Sequence, residues 1–228
     1  GKGSEQLEFK KKLPIGIENF SKLRSENFYY VDKTMLIKDL LNNWAEVNLF
    51  TRPRRFGKTL NMSMLNCFFS RQYAEKGTIF EGLSIWKQEK YRRLQGTYPV
   101  IFLSFADVKQ NNYQDAVQKI KNIIVDAYRQ HRYLEQEECF TQNEKQQMLE
   151  ITEKMSDVTA QDALKNLSSY LNLLYGKKVL IFLDEYDTPM QEAYIHGASA
   201  IITYNTGGYA TISDDATNMQ NIAQKDLI

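Results

Sequence analysis

The stretch Arg52-Pro53-Arg54-Arg55-Phe56-Gly57-Lys58-Thr59 decides how the rest of this chain is read. It stands between a short apolar run, Val47-Asn48-Leu49-Phe50-Thr51, and an amphipathic run over residues 60–69. That order predicts a strand, a loop and a helix. A Gly-Lys-Thr triplet that opens a helix is the phosphate-holding end of a P-loop. The helix start offers unpaired N–H groups and the positive end of its dipole. Gly57 lets the backbone approach phosphate oxygens where a Cβ would obstruct them. Lys58 brings a mobile positive charge for β- and γ-phosphates, and Thr59 brings a hydroxyl for Mg²⁺.

Arg52 occupies the position, five residues before Gly57, where the usual pattern has another glycine. Pro53 locks its own φ and biases Arg52 towards extended backbone, so the loop starts stiffly. Arg54 and Arg55 add charge. Four cations within seven residues also suit a solvated basic turn or a nucleic-acid patch. The flanking strand and helix favour phosphate.

Far downstream, Lys178-Val179-Leu180-Ile181-Phe182-Leu183-Asp184-Glu185 is an apolar run that ends in two carboxylates. A strand apolar on both faces belongs inside a parallel sheet covered by helices. Ligand chemistry in such sheets gathers at the carboxyl ends of the strands. Asp184 can hold Mg²⁺ there, through water, opposite Thr59, and Glu185 can orient or deprotonate an attacking water. Alone, either acid reads as a helix cap. Together with Gly57-Lys58-Thr59 they supply what a triphosphate site needs.

These residues carry a family resemblance. Leu13-Pro14-Ile15-Gly16-Ile17, Tyr29-Tyr30-Val31-Asp32-Lys33-Thr34, the loop over residues 52–59, and Leu183-Asp184-Glu185-Tyr186-Asp187-Thr188-Pro189 occur in that order. Together they resemble the bacterial AAA-ATPase-like family, whose full-length members often carry a C-terminal restriction-endonuclease-like nuclease domain. The resemblance covers about residues 13–194, and Arg52 is a trait of that family's own loop. It implies an α/β fold: a P-loop NTPase three-layer sandwich with a mostly parallel sheet and a helical insertion before the Walker B strand. Truncation of the later elements stays open. It further implies ATP (or GTP) held by Arg52, Pro53, Arg54, Arg55, Phe56, Gly57, Lys58, Thr59 and Leu60. Thr59 and Asp184 would hold Mg²⁺, and Lys58 and Glu185 would be the catalytic pair.

The 228 residues can bury one α/β core with room for a helical subdomain. A formal net charge of +1 creates no global field for nucleic acid or membrane, so any such contact has to be local. Apolar runs reach about five residues, far short of the ~20 that span a bilayer. Gly1-Lys2-Gly3-Ser4 reads as an expression scar within a leader over residues 1–12, and no signal peptide is visible. Cys67 and Cys139 have no metal-ligand spacing and read as reduced thiols of a cytoplasmic protein. His131 and His196 are isolated.

Asp32 reads as an N-cap before Leu36, Ile37, Leu40, Leu41 and Trp44. Tyr30 or Val31 should pack on that first turn, with a base- or ribose-lining role as the alternative. Leu60, Met64, Cys67 and Phe68 form one helical side, and Val100-Ile101-Phe102-Leu103 form a strand core with Asp107 beyond it. A helix over residues 113–128 should bury Tyr113, Val117, Ile120, Ile124 and Ala127. The acid-rich residues 135–157 suit a surface insertion better than core. Thr159 with Asp162 should start the next helix, and Gly176 should close it. The NTPase domain is thus read over residues 13–197. The tail over residues 198–228 changes composition. It is read as a hairpin around Gly207-Gly208, or as a further parallel strand bringing Asn205 or Thr206 to the γ-phosphate.

The leading functional expectation is Mg²⁺-dependent nucleotide binding and hydrolysis, as a switch or motor for a partner or an effector domain. An arginine from a second copy or a partner would complete such a site. A regulatory nucleotide-binding module with little hydrolysis is the alternative. A metal-dependent nuclease built on Asp184, Glu185 and Asp187 comes third. Nucleic acid would be met only indirectly, through a companion domain, and no membrane contact is expected.

Overall fold

Two apolar runs cross the centre of the molecule side by side. β1 (Val100–Ser104) and β2 (Leu180–Asp184) pair in parallel, Val100 opposite Leu180 and Ser104 opposite Asp184. Successive side chains of a strand point to opposite faces. Ile101, Leu103, Ile181 and Leu183 therefore join one core, while Val100, Leu180 and Phe182 join the other. Both faces of β2 are buried, which explains why its sequence is apolar throughout rather than alternating. The structure, a computed structural model, describes residues 11–42, 58–105, 108, 112–184, 193–195, 200–204 and 210–213.

The Val100 face is covered by α1 (Phe20–Ser25), α2 (Met35–Asn42) and α3 (Lys58–Phe69). Phe20, Phe68 and Phe80 pack ring to ring at its centre, with Phe20–Phe80 centroids 5.2 Å apart and Phe68–Phe80 centroids 5.5 Å apart. A 3₁₀ segment over Arg71–Phe80 and the short α4 (Glu89–Arg92) lead from α3 to β1.

The Ile101 face is covered by α5 (Tyr113–Gln130) and α7 (Asp157–Tyr175). Val117, Ile120, Ile124 and Ala127 of α5 are buried as their spacing predicts, but Tyr113 is 66% exposed in the first turn. α7 starts earlier than Thr159. The Ser156 hydroxyl accepts from the Thr159 N–H, and Asp157 joins the first turn, where the dipole favours an acid. Gly176 ends the helix in the left-handed region (φ 60°), as expected.

Between these helices, residues 135–157 are less detached than their composition suggests. α6 (Gln142–Leu149) is opened by a capping box of Thr141 and Glu144. Phe140, Met148 and Met155 insert into the core beside α7, with Phe140 edge-on to Tyr170 at 5.5 Å. Phe140→Ala should therefore cost about 3 kcal/mol of unfolding free energy. A denaturant titration showing no loss would mark the segment as a loose appendage.

Beyond β2 the sheet gains β3 (Ala200–Tyr204), parallel to β2, and β4 (Ala210–Ser213), antiparallel to β3. The strand order is β1-β2-β3-β4. β3 thus has a parallel neighbour on one edge and an antiparallel one on the other, while residues 205–209, on which the expected turn and the γ-phosphate contact fall, lie outside the described residues. Tyr194 and Ile195 are buried in the α5–α7 core, so part of the β2–β3 connection lies on that face. No described helix is long and apolar enough to cross a membrane.

Candidate functional site

The last turn of α3 is tied to the residues that lead into β1. Gly96 N–H donates to the Phe68 carbonyl (2.7 Å), Tyr98 N–H to that of Phe69 (2.9 Å), and Arg71 N–H to that of Tyr98 (3.0 Å). The helix end thus sits at the amino edge of the sheet. The helix also packs against β1 and β2.

Lys58 is the first residue of α3, and Thr59 and Leu60, half-buried, follow it. Asp184 is the last residue of β2, and its side chain is 4% exposed. Its carbonyl accepts from the Phe105 N–H (2.9 Å), locking the end of β2 to the chain as it leaves β1. Ser104, which sequence reasoning passed over, is exposed directly opposite Asp184. Arg52, Pro53, Arg54, Arg55, Phe56, Gly57, Glu185, Asp107, Asp187, Asn205 and Thr206 lie outside the described residues. Among the described residues, no group of three or more His, Cys, Asp or Glu side chains could hold a metal by itself. A hydroxyl and a carboxylate completed by phosphate oxygens is a different donor set, made of the hard oxygens Mg²⁺ prefers.

A helix shorter than three turns is marginal alone, so α1 and α2 need outside support. The Ser63 hydroxyl, on α3, accepts from the first N–H of α1 (2.9 Å). Arg24 donates to the carbonyls of Ile79 and Glu81, both at 2.7 Å. Asp32, expected as the N-cap, instead lies ahead of α2, which starts at Met35, and ties two segments together. One carboxylate oxygen accepts from the Thr34 N–H (2.9 Å) and hydroxyl (2.6 Å). The other accepts from the Ser84 N–H (2.7 Å) and hydroxyl (2.8 Å). Tyr30 packs edge-on against Phe20 of α1 at 5.2 Å, whereas Val31 is 55% exposed.

Partial burial pushes the Asp32 carboxyl up, but the hydrogen bonds from Thr34 and Ser84 outweigh it and hold it below 3.8. Its contribution is therefore present above pH ~4, the unfolded value, and fades as pH falls through the lower folded one. Asp32→Asn should lower stability by about 1 kcal/mol at neutral pH, a figure already discounted for exposure. Urea melts from pH 7 down to pH ~3 should show the gap to the parent chain closing on the acid side. A gap that does not change with pH would detach the effect from the carboxylate.

Cys67 lies at 1% exposure, and burial pushes its thiol up to about 12, so it is an inert core group. Cys139 is exposed.

These features define an α/β domain with a mainly parallel sheet, α3 packed on one face and a buried aspartate at the end of β2. A family model described as "Predicted AAA-ATPase" matches residues 14–210, and the chain belongs to that family. The chain is also 28% identical over 182 residues to an uncharacterised protein encoded in the vnfD 5′ region of Azotobacter chroococcum mcd 1. That match covers 79% of this chain but 30% of the relative, so the chain spans under a third of that protein's length. No solved structure matches it.

Proposed function

We propose that this chain is the nucleotide-binding module of a Mg²⁺-dependent ATPase that acts as a switch or motor for an effector domain or partner. The observation that supports the reading is the anchorage of α3: its far end is pinned at the amino edge of the sheet, and in this reading Lys58 and Thr59 lie at the opposite edge, where β2 ends in Asp184. Family membership supports the nucleotide class.

In this reading the residues over 52–60 hold the phosphates: the backbone around Gly57 by its N–H groups, and Lys58 by charge. Thr59 and Asp184 would hold Mg²⁺, which when bound neutralises charge on the phosphoryl oxygens. Glu185 orients the attacking water and accepts its proton. Lys58 also stabilises the charge that develops on the transferred phosphoryl group. An arginine from another copy or an effector domain would complete the site, and its absence makes turnover slow. The Azotobacter relative extends well beyond the matched region, which leaves room for such a domain.

Titration of the chain with ATP, GTP and Mg²⁺, read by calorimetry and thermal shift, tests the proposal. Saturable, Mg²⁺-dependent binding is expected, and Lys58→Ala should weaken it at least about tenfold through loss of a charge-assisted contact. Undiminished binding by that variant would sink the reading.

A further inference from the structure

The elements that begin at Lys58 and end at Asp184 each have an opposite end, and those ends meet at the amino edge of the sheet. Arg71 follows α3, with its guanidinium over the ring of Tyr175, 4.2 Å from the centroid. Lys177 shortly precedes β2, with its ammonium over the ring of Tyr98, 4.1 Å from the centroid. Arg71 N–H donates to the carbonyl of the same Tyr98 (3.0 Å), so the two pairs belong to one cluster. A cation resting on an aromatic face is held in place while its N–H donors stay available. Among the described residues, neither cation makes an ion pair with a carboxylate. Burial lowers the Lys177 pKa, and the charge of Arg71 lowers it further, so the two repel each other.

The rings behind them are fixed. Tyr175 donates to the Tyr133 hydroxyl (3.1 Å), which lies 3.1 Å from Nδ1 of His131. Burial holds His131 down at about 4, neutral at ordinary pH, against a bond to the Val100 backbone that favours its protonated form. Both hydroxyls are thus engaged with inward partners. The charge of Glu137 is felt at Tyr133. Arg71 and Lys177 are left as the outward-facing donors.

We propose that Arg71 and Lys177 form a second oxyanion site, for a phosphoryl group, at the sheet edge opposite Asp184. Two cations match the nearly double charge of a phosphate at neutral pH. Its tetrahedral oxygens can meet a guanidinium fork and an ammonium at once, which a singly charged carboxylate does less well. The bound group ties the end of α3 to the start of β2. The same chemistry is presented by free inorganic phosphate and by the backbone of a single-stranded oligonucleotide. The proposal is independent of the nucleotide reading.

The test is calorimetric titration of the whole chain with inorganic phosphate and, separately, with a short oligodeoxynucleotide. Parent, Lys58→Ala, Arg71→Gln and Lys177→Gln chains are compared. Phosphate binding should survive Lys58→Ala and weaken about tenfold in each of the other two, the loss expected for one charge-assisted donor. Arg71→Lys, which keeps the charge but not the fork, should restore part of the affinity and guards against a folding defect. Oligonucleotide binding that is stronger than phosphate and equally sensitive to Arg71 and Lys177 assigns the site to a polynucleotide backbone. Phosphate binding alone assigns it to the free ion. Phosphate affinity unchanged by both glutamine variants, or abolished by Lys58→Ala alone, overturns the site.

Discussion

ATP turnover by Glu185→Gln should fall by about 10²–10⁴ while ATP·Mg²⁺ affinity stays nearly unchanged. Glutamine keeps the size of the side chain and can still hold a water, but it cannot take the proton. On the proposed reading the effect is confined to the chemical step, because the phosphates would be held elsewhere, by the residues around Gly57 and Lys58. Turnover of the isolated chain is expected to be slow, since an arginine supplied from outside contributes ~10³–10⁵ in comparable sites. The measurement is therefore single-turnover hydrolysis with protein in excess over labelled ATP. A parent chain that binds ATP tightly yet hydrolyses it no faster than the variant would convert the module from enzyme to regulatory binder. That outcome would leave the Lys58 prediction intact, so the two experiments separate binding from chemistry.

The sequence exposes those parts of the fold that repeat a pattern over many residues. α5 and α7 carry long apolar periodicities, which survive whatever they pack against, and β2 is an unbroken apolar run. Gly176 was legible for a similar reason: a glycine just past a periodic helix has one common use. What stayed hidden is non-local. Asp32 reaches Ser84, and Arg24 reaches the carbonyls of Ile79 and Glu81, contacts with no trace in local sequence. Phe140, Met148 and Met155 are sparse apolar residues in a polar segment, too few to form a period, yet tertiary packing buries all of them. The start of α7 was missed because Ser156 and Thr159 are both good caps, and only the hydrogen bond decides between them. At the candidate site, the positions of Asp184 and of the α3 start follow from strand and helix patterning. The anchorage that gives α3 its direction depends on Gly96, to which the sequence drew no attention.

Gly96→Ala should destabilise the chain by about 3–5 kcal/mol, combining left-handed backbone strain with overpacking. Gly96 has φ +69°, and a Cβ built there would lie 2.3 Å from the Ala74 Cα and 2.9 Å from its nitrogen. Those are backbone atoms, so no side chain can swing aside, and either the segment bearing Ala74 or the turn bearing Gly96 has to move. Gly176 is the natural control. Its φ is also positive (+60°), but an added Cβ meets nothing within 4 Å, so Gly176→Ala should cost only about 1 kcal/mol of strain. The difference between the two variants isolates the steric part. Gly96 also donates to the Phe68 carbonyl, so a displaced turn releases the last turn of α3 from the amino edge of the sheet. Loss of that anchorage should carry through the rigid helix to its first turn and reduce the ATP-induced thermal shift. Gly176→Ala should leave that shift in place. Equal unfolding free energies for the two variants in urea would show that close approach of Ala74 does not hold α3. An unaltered nucleotide response in a folded Gly96→Ala chain would show instead that the helix start is positioned from elsewhere.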